Sequence, residues 1–149
     1  MIANSIGFFF FSMHALAGKT ISKALFISPI GNMEKLITDM MTWSNVTEDE
    51  LQSKKEIPTA FGEILSWKYL CYVRKHPIVW RIPTNILYGA NDNLTARNTI
   101  SEFANCISAS LTVMQDGEHR FHTCAQMKFL DHWIRNTCWM DENTLLSHL

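Results

Sequence analysis

Ile82-Pro83-Thr84-Asn85-Ile86-Leu87-Tyr88-Gly89-Ala90-Asn91-Asp92-Asn93-Leu94-Thr95 is the stretch on which the fold turns. Pro83 leads into a short apolar run, Gly89 ends it, and the loop that follows carries an acid, Asp92. A run of this length between such breakers reads as a strand buried on both faces, the signature of a parallel sheet. The run Lys23-Ala24-Leu25-Phe26-Ile27-Ser28, stopped by Pro29 and Gly31, reads the same way, and residues 110–114 supply a further strand.

Helical patterns separate these strands. Asn32 precedes Met33, Leu36, Ile37, Met40 and Met41 at helical spacing. Residues 44–62 are polar, with Asn45 and Thr47 as candidate caps and Pro58 and Gly62 as breakers, and residues 63–76 read as a second helix. Helical character returns over 95–106 and again over 121–133. Strands alternating with helices imply an α/β fold, with parallel sheet strands and flanking helices. The connection from the first of these strands to the second is far longer than a usual crossover. Residues 29–83 therefore read as an inserted helical cap, or lid, within a chain of residues 1–149.

Composition narrows the function classes. The 149 residues carry 13 Lys and Arg against 14 Asp and Glu, a formal net charge of −1, so the electrostatic footprint of a nucleic-acid binder is missing. At 47% hydrophobic and 18% charged, the chain is not intrinsically disordered. Cys71, Cys106, Cys124 and Cys138 form no CxxC pair and read as free buried thiols of a reducing, cytoplasmic compartment. The opening MIANSIGFFFFSMHALA has a small-residue site at Ala15-Leu16-Ala17, as an exported leader would, but no Lys or Arg precedes Lys19. It is too short and too polar for a stable membrane span and reads as a buried helix entered through a tight turn.

That turn begins the chemistry. Ala3-Asn4-Ser5-Ile6-Gly7 fits small-x-Ser-x-Gly, the nucleophile elbow, with Ala3 where glycine is usual. The elbow needs small flanking residues because strand and helix backbones nearly touch there, and it lifts the serine hydroxyl clear at a helix start. The final strand leads into Asp116-Gly117-Glu118-His119-Arg120-Phe121-His122, which offers a base. Serine alone is a poor nucleophile, so a histidine must take its proton, and an acid must hold that histidine in the working tautomer. Ser5, Asp92 and His119 occur in the chain order of the α/β-hydrolase triad, and the backbone N–H of Ile6 would face the oxyanion.

From Ser5 to about Trp133 the chain resembles the C-terminal half of an α/β-hydrolase, close to the serine aminopeptidase-like and lysophospholipase-like hydrolases. NSIG after Ala3, IPTNILYGANDNLT over 82–95 and LTVMQDGEHRFHT over 111–123 carry the resemblance. It implies a serine hydrolase acting on a small-molecule acyl ester or amide, with no cofactor and a helical lid over the pocket. Two departures stand out. Only residues 1–4 precede Ser5, where the family has several strands, and the upstream loop that supplies a second oxyanion N–H is missing. These departures predict an N-terminally truncated domain with an open sheet edge, impaired in catalysis and open to self-association or docking. The competing reading is a non-catalytic fragment or docking module that needs a separate upstream half.

Plainer readings stand beside each candidate. Ser5 also reads as an N-cap, and Asp92, between two asparagines, as an Asx-turn residue. His122 competes with His119 for the base and otherwise starts or caps the final helix. His119, His122 and Cys124 fit no zinc spacing well, so no metal is expected. His14 and His132 fall on helix faces. Met33, Met40, Met41, Trp43, Trp67 and Trp80 either pack as core or line a lipophilic pocket. Arg120 stands where the family often has an aromatic residue, at the pocket entrance.

Overall fold

A computed structural model describes residues 1–7 and 20–146. The helix expected over the phenylalanine run, with His14, lies outside the described residues. Two compact units emerge, one of Met1–Gly31 with Trp80–Leu149 and one of Asn32–Val79.

The first unit is built on a four-stranded parallel sheet in the order β1 (Ile2–Asn4), β2 (Ala24–Ile27), β5 (Thr84–Gly89), β6 (Ser110–Met114). The expected α/β class and parallel pairing are what the sheet shows. All of β2 is buried, and Ile86, Leu87 and Tyr88 of β5 are at most 1% exposed. Strands clothed on both faces have no polar alternation, which is why they read as continuous apolar runs. Side-chain alternation still sorts the faces. Leu25, Ile27 and Leu87 join Phe121 and Trp133, with Phe129, Leu130 and Ile134 of α5 (Cys124–Leu146) packed against them. On β2 the intervening Phe26 stacks at a tilt on Trp80, 5.3 Å between centroids, and the Trp80 indole N–H donates to Thr84 Oγ1. The helix α4 (Arg97–Cys106) buries Thr99, Ile100, Phe103 and Ala104. Its Phe103 lies so close to Gly31 that a Cβ there would sit 2.5 Å from the ring.

The second unit, Asn32–Val79, holds α1 (Met33–Trp43), α2 (Glu48–Lys54), a hairpin of β3 (Glu56–Pro58) and β4 (Ile64–Ser66), and α3 (Trp67–Lys75). Asn32, Thr47 and Ser66 cap the three helices through their side-chain oxygens. The hairpin departs from expectation, because residues 64–66 belong to a strand and the helix expected over 63–76 starts only at Trp67. Thr59 closes its turn, donating to and accepting from Glu63, and Gly62 takes a φ of +90° that side chains resist. Met33, Met41, Leu51, Leu65, Leu70 and Val73 are buried, so Met33 and Met41 are core of this unit, while Trp43 stays 54% exposed against Phe61. Arg74 of α3 ties the helices together. It donates to Glu34 of α1 at 2.7 Å and grips both carboxylate oxygens of Glu48 of α2 at 2.7 and 2.9 Å.

Two further expectations are corrected. The final helix runs to Leu146 rather than ending near Trp133. The cysteines are free but not buried, with Cys106, Cys124 and Cys138 exposed and Cys71 intermediate. No helix among the described residues is long and apolar enough to cross a membrane.

Leu87→Ala should destabilise the protein by about 2–5 kcal/mol, because the cavity it opens lies in a closed cluster, whereas Met127→Ala, at an exposed site on α5, should change stability by less than about 0.5 kcal/mol. Urea denaturation of both variants checks this. The Arg74 guanidinium holds the Glu48 carboxyl below its ordinary range. The stability this adds is fully present above the unfolded-chain value, about 4.3, and fades as pH falls through the lower folded value. The stability gap between wild type and Arg74→Gln should therefore close on acidification and shrink in high salt, as thermal melts across pH 3 to 7 would report.

Candidate active site

All four strands run the same way, so their carboxyl ends lie along one edge of the sheet. Ser5 follows β1, Asp92 lies three residues beyond β5, and His119 lies five beyond β6. Loops at this edge are where open parallel sheets place working residues.

Ser5 has a φ of +51°, a left-handed conformation that costs a non-glycine residue roughly 1–2 kcal/mol. It is held there by its own N–H, which donates to the Ile27 carbonyl of the neighbouring strand at 3.0 Å. The sharp reversal turns Oγ away from the strand, and Oγ lies 2.8 Å from His119 Nε2. Ile6 follows in the same turn and is 42% exposed, with helical backbone from Gly7. Ala3, at the small position of the elbow, is buried in the sheet.

His119 is 6% exposed, and its Nδ1 lies 2.7 Å from Asp92 Oδ2. A carboxylate only accepts, so Nδ1 carries the proton, and the bare Nε2 accepts from the Ser5 hydroxyl. The Asp92 side chain is fully buried, and both oxygens are used. Oδ1 accepts the N–H groups of Leu94 and Thr95 at 2.8 and 3.0 Å while Oδ2 meets the imidazole. The Asx-turn reading and the acid reading of Asp92 therefore describe the same carboxylate.

Two glycines let the acid and histidine loops meet. A Cβ on Gly89 would lie 2.5 Å from the Gly117 carbonyl, and one on Gly117 would lie 2.9 Å from Gly89 Cα. Across this contact Asn91 N–H donates to Gly117 O at 2.8 Å and Ala90 N–H to Met114 O at 2.9 Å. Tyr88 fastens the acid loop from below, donating its hydroxyl to the Thr95 carbonyl at 2.8 Å. Burial, and then the charge of Asp92, push the phenol above its ordinary pKa, so it stays a donor.

The remaining candidates fall outside this array. His122 is exposed and pairs with Glu118 at 3.2 Å, and His132 contacts Asn136. Both ring nitrogens of His119 are engaged, and no group of three metal-ligating side chains occurs among the described residues. Trp80 is packed into the sheet unit, and Arg120 is exposed. Sequence reasoning missed Gln126, which is 4% exposed and bonded to Asp116 O and His122 N–H. The signal for it is Thr123-Cys124-Ala125-Gln126, a T-x-x-Q capping box at the start of α5.

No family model and no curated protein matches the chain. Solved structures do. Mouse alpha/beta hydrolase domain-containing protein 10 superposes with a TM-score of 0.71 at 16% identity, over 92% of this chain and 60% of that one. Est1E from Butyrivibrio proteoclasticus gives 0.64 at 14% identity, over 91% and 60%. The esterase domain of a Rhodothermus marinus protein gives 0.61 at 11% identity, again over 91% and 60%. The chain thus spans about three-fifths of the length of these hydrolases, and over that span it carries part of the α/β-hydrolase fold.

Proposed function

We propose that Ser5, His119 and Asp92 form the catalytic triad of a serine hydrolase for a lipophilic acyl ester or small amide. The observation that carries this reading is the unbroken hydrogen-bond chain from Ser5 Oγ through the imidazole to Asp92, at 2.8 and 2.7 Å. Esterases among the structural relatives support ester chemistry.

Each residue has a defined task. His119 Nε2 removes the Ser5 proton as Oγ attacks the acyl carbonyl, and Asp92 stabilises the imidazolium that forms. The Ile6 N–H donates to the oxyanion. Collapse breaks the ester or amide bond, and His119 returns its proton to the leaving group. Water, deprotonated by the same histidine, then attacks the acyl carbonyl, and as the bond to Ser5 Oγ breaks His119 returns that proton to Oγ and the acid leaves.

A fluorophosphonate probe should label the folded chain at Ser5 and lose that label in Ser5→Ala. Ser5→Ala and His119→Ala should lower kcat on a short-chain ester by about 10⁴–10⁶, and Asp92→Asn by about 10⁴. A folded wild-type chain that takes no label overturns autonomous activity.

A second reading, docking or self-association, is favoured by β1. Among the described residues it pairs with β2 alone, and its Ile2 is 52% exposed. A free strand edge is a template for another strand, and a charge placed on it blocks such pairing. Sedimentation should show concentration-dependent association of wild type that Ile2→Lys abolishes. A wild-type chain that stays monomeric at every concentration excludes self-association through this edge.

A further inference from the structure

We propose that Gln126 is a positioning residue for His119, its side-chain amide clamping the two ends of the loop that carries the imidazole. This rests on the triad reading above. Gln126 lies in the first turn of α5, 4% exposed. Its Nε2 donates to the Asp116 carbonyl at 2.9 Å, and its Oε1 accepts from His122 N–H at 2.9 Å. Asp116 and His122 flank His119 by three residues on either side. One planar amide therefore spans the chord of the loop.

Helix capping alone does not account for this geometry. In the capping box the Thr123 hydroxyl accepts Gln126 N–H, here at 3.3 Å, and the Gln126 side chain reaches back to Thr123 N–H. That return contact is the long one, 3.5 Å, whereas both 2.9 Å bonds go to loop groups. Bonding to Asp116, ten residues back, is no part of a cap at all.

The clamp complements the anchor on the other side. Gly117 O accepts Asn91 N–H, and Gly117 N–H donates to Met114 O, which pins the start of the loop to β5 and β6. Gln126 fixes its span. With both in place, the imidazole must present Nδ1 to Asp92 and Nε2 to Ser5 at once, a pair of constraints that a loosened loop satisfies only part of the time. A misplacement of about 1 Å at such a site can cost about a hundredfold in rate.

The test uses Gln126→Met, which keeps the bulk and removes both bonds, and Gln126→Glu, which keeps the acceptor for His122 N–H and loses the donor to Asp116 O. Two readouts are taken on protein with native circular dichroism. One is the imidazole ¹H–¹⁵N spectrum of His119, assigned by its loss in His119→Gln, which reports tautomer without any turnover. The other is the split between kcat and KM on a short-chain ester. Gln126→Met should show mixed His119 tautomers and a fall of about tenfold to a hundredfold in kcat with KM unchanged, and Gln126→Glu a smaller fall. Wild-type His119 shifts, or wild-type kcat, in a folded Gln126→Met protein would overturn the proposal. Where Gln126→Met does not fold, Gln126→Glu is judged by the same two readouts. Wild-type chain that takes no fluorophosphonate label sinks the hydrolase reading instead, and the imidazole spectrum alone then decides the clamp.

Discussion

Gly89 and Gly117 touch backbone to backbone, and the rest of the site depends on that contact. A methyl group on either would drive the end of β5 away from the loop after β6. With the two segments apart, Asn91 N–H loses the Gly117 carbonyl and the carboxylate of Asp92 falls short of the imidazole. The close approach is thus a distance requirement of the charged array, met by deleting side chains rather than adding bonds. Its conformational cost is the usual one for glycine, roughly 0.5–1 kcal/mol relative to alanine.

Rigidity at the other corner comes from strain held in place. The left-handed Ser5 turn is secured by the bond from its N–H to Ile27 O, so the sheet ladder itself fixes where the hydroxyl points. Asp92 is secured differently, by using every oxygen it has. A buried carboxylate with two backbone donors on one oxygen and an imidazole on the other has both oxygens hydrogen-bonded, which is why a charge can rest at full burial. Serine, histidine and acid are each immobilised by a separate device, and Gln126 adds one more at the histidine.

Reading the chain in one dimension succeeded where local chemistry and tertiary role agree. The runs at 24–27 and 84–89 are strands with unbroken apolar stretches, Ala24 to Ile27 and Ile86 to Tyr88, between breakers, and the burial of those stretches follows from the same fact. It failed where pairing rather than pattern decides. Ile64 and Leu65 continue a helical spacing into Trp67, yet they extend because β3 supplies partners across the turn at Thr59–Glu63. Pro58 and Gly62 signalled a break and were compatible with a loop or a hairpin alike. The cysteines were misjudged because a thiol behaves as a small hydrophobe on average, while helix phase places three of these on exposed positions.

What sequence alone determined is the inventory and its order: a parallel α/β sheet, and a serine, an acid and a histidine in that succession along the chain. Those properties are local or additive, since hydrophobic runs, breakers and turn residues act over a few positions. Only the tertiary structure decided that Ser5, His119 and Asp92 lie within hydrogen-bond reach, that one carboxylate serves both a turn and an imidazole, and that a helix-capping glutamine spans the histidine loop. Each of these joins residues far apart in the chain or on different elements. Their meeting is set by strand register and backbone approach to within tenths of an ångström, and no residue's identity encodes such distances until the sheet has formed.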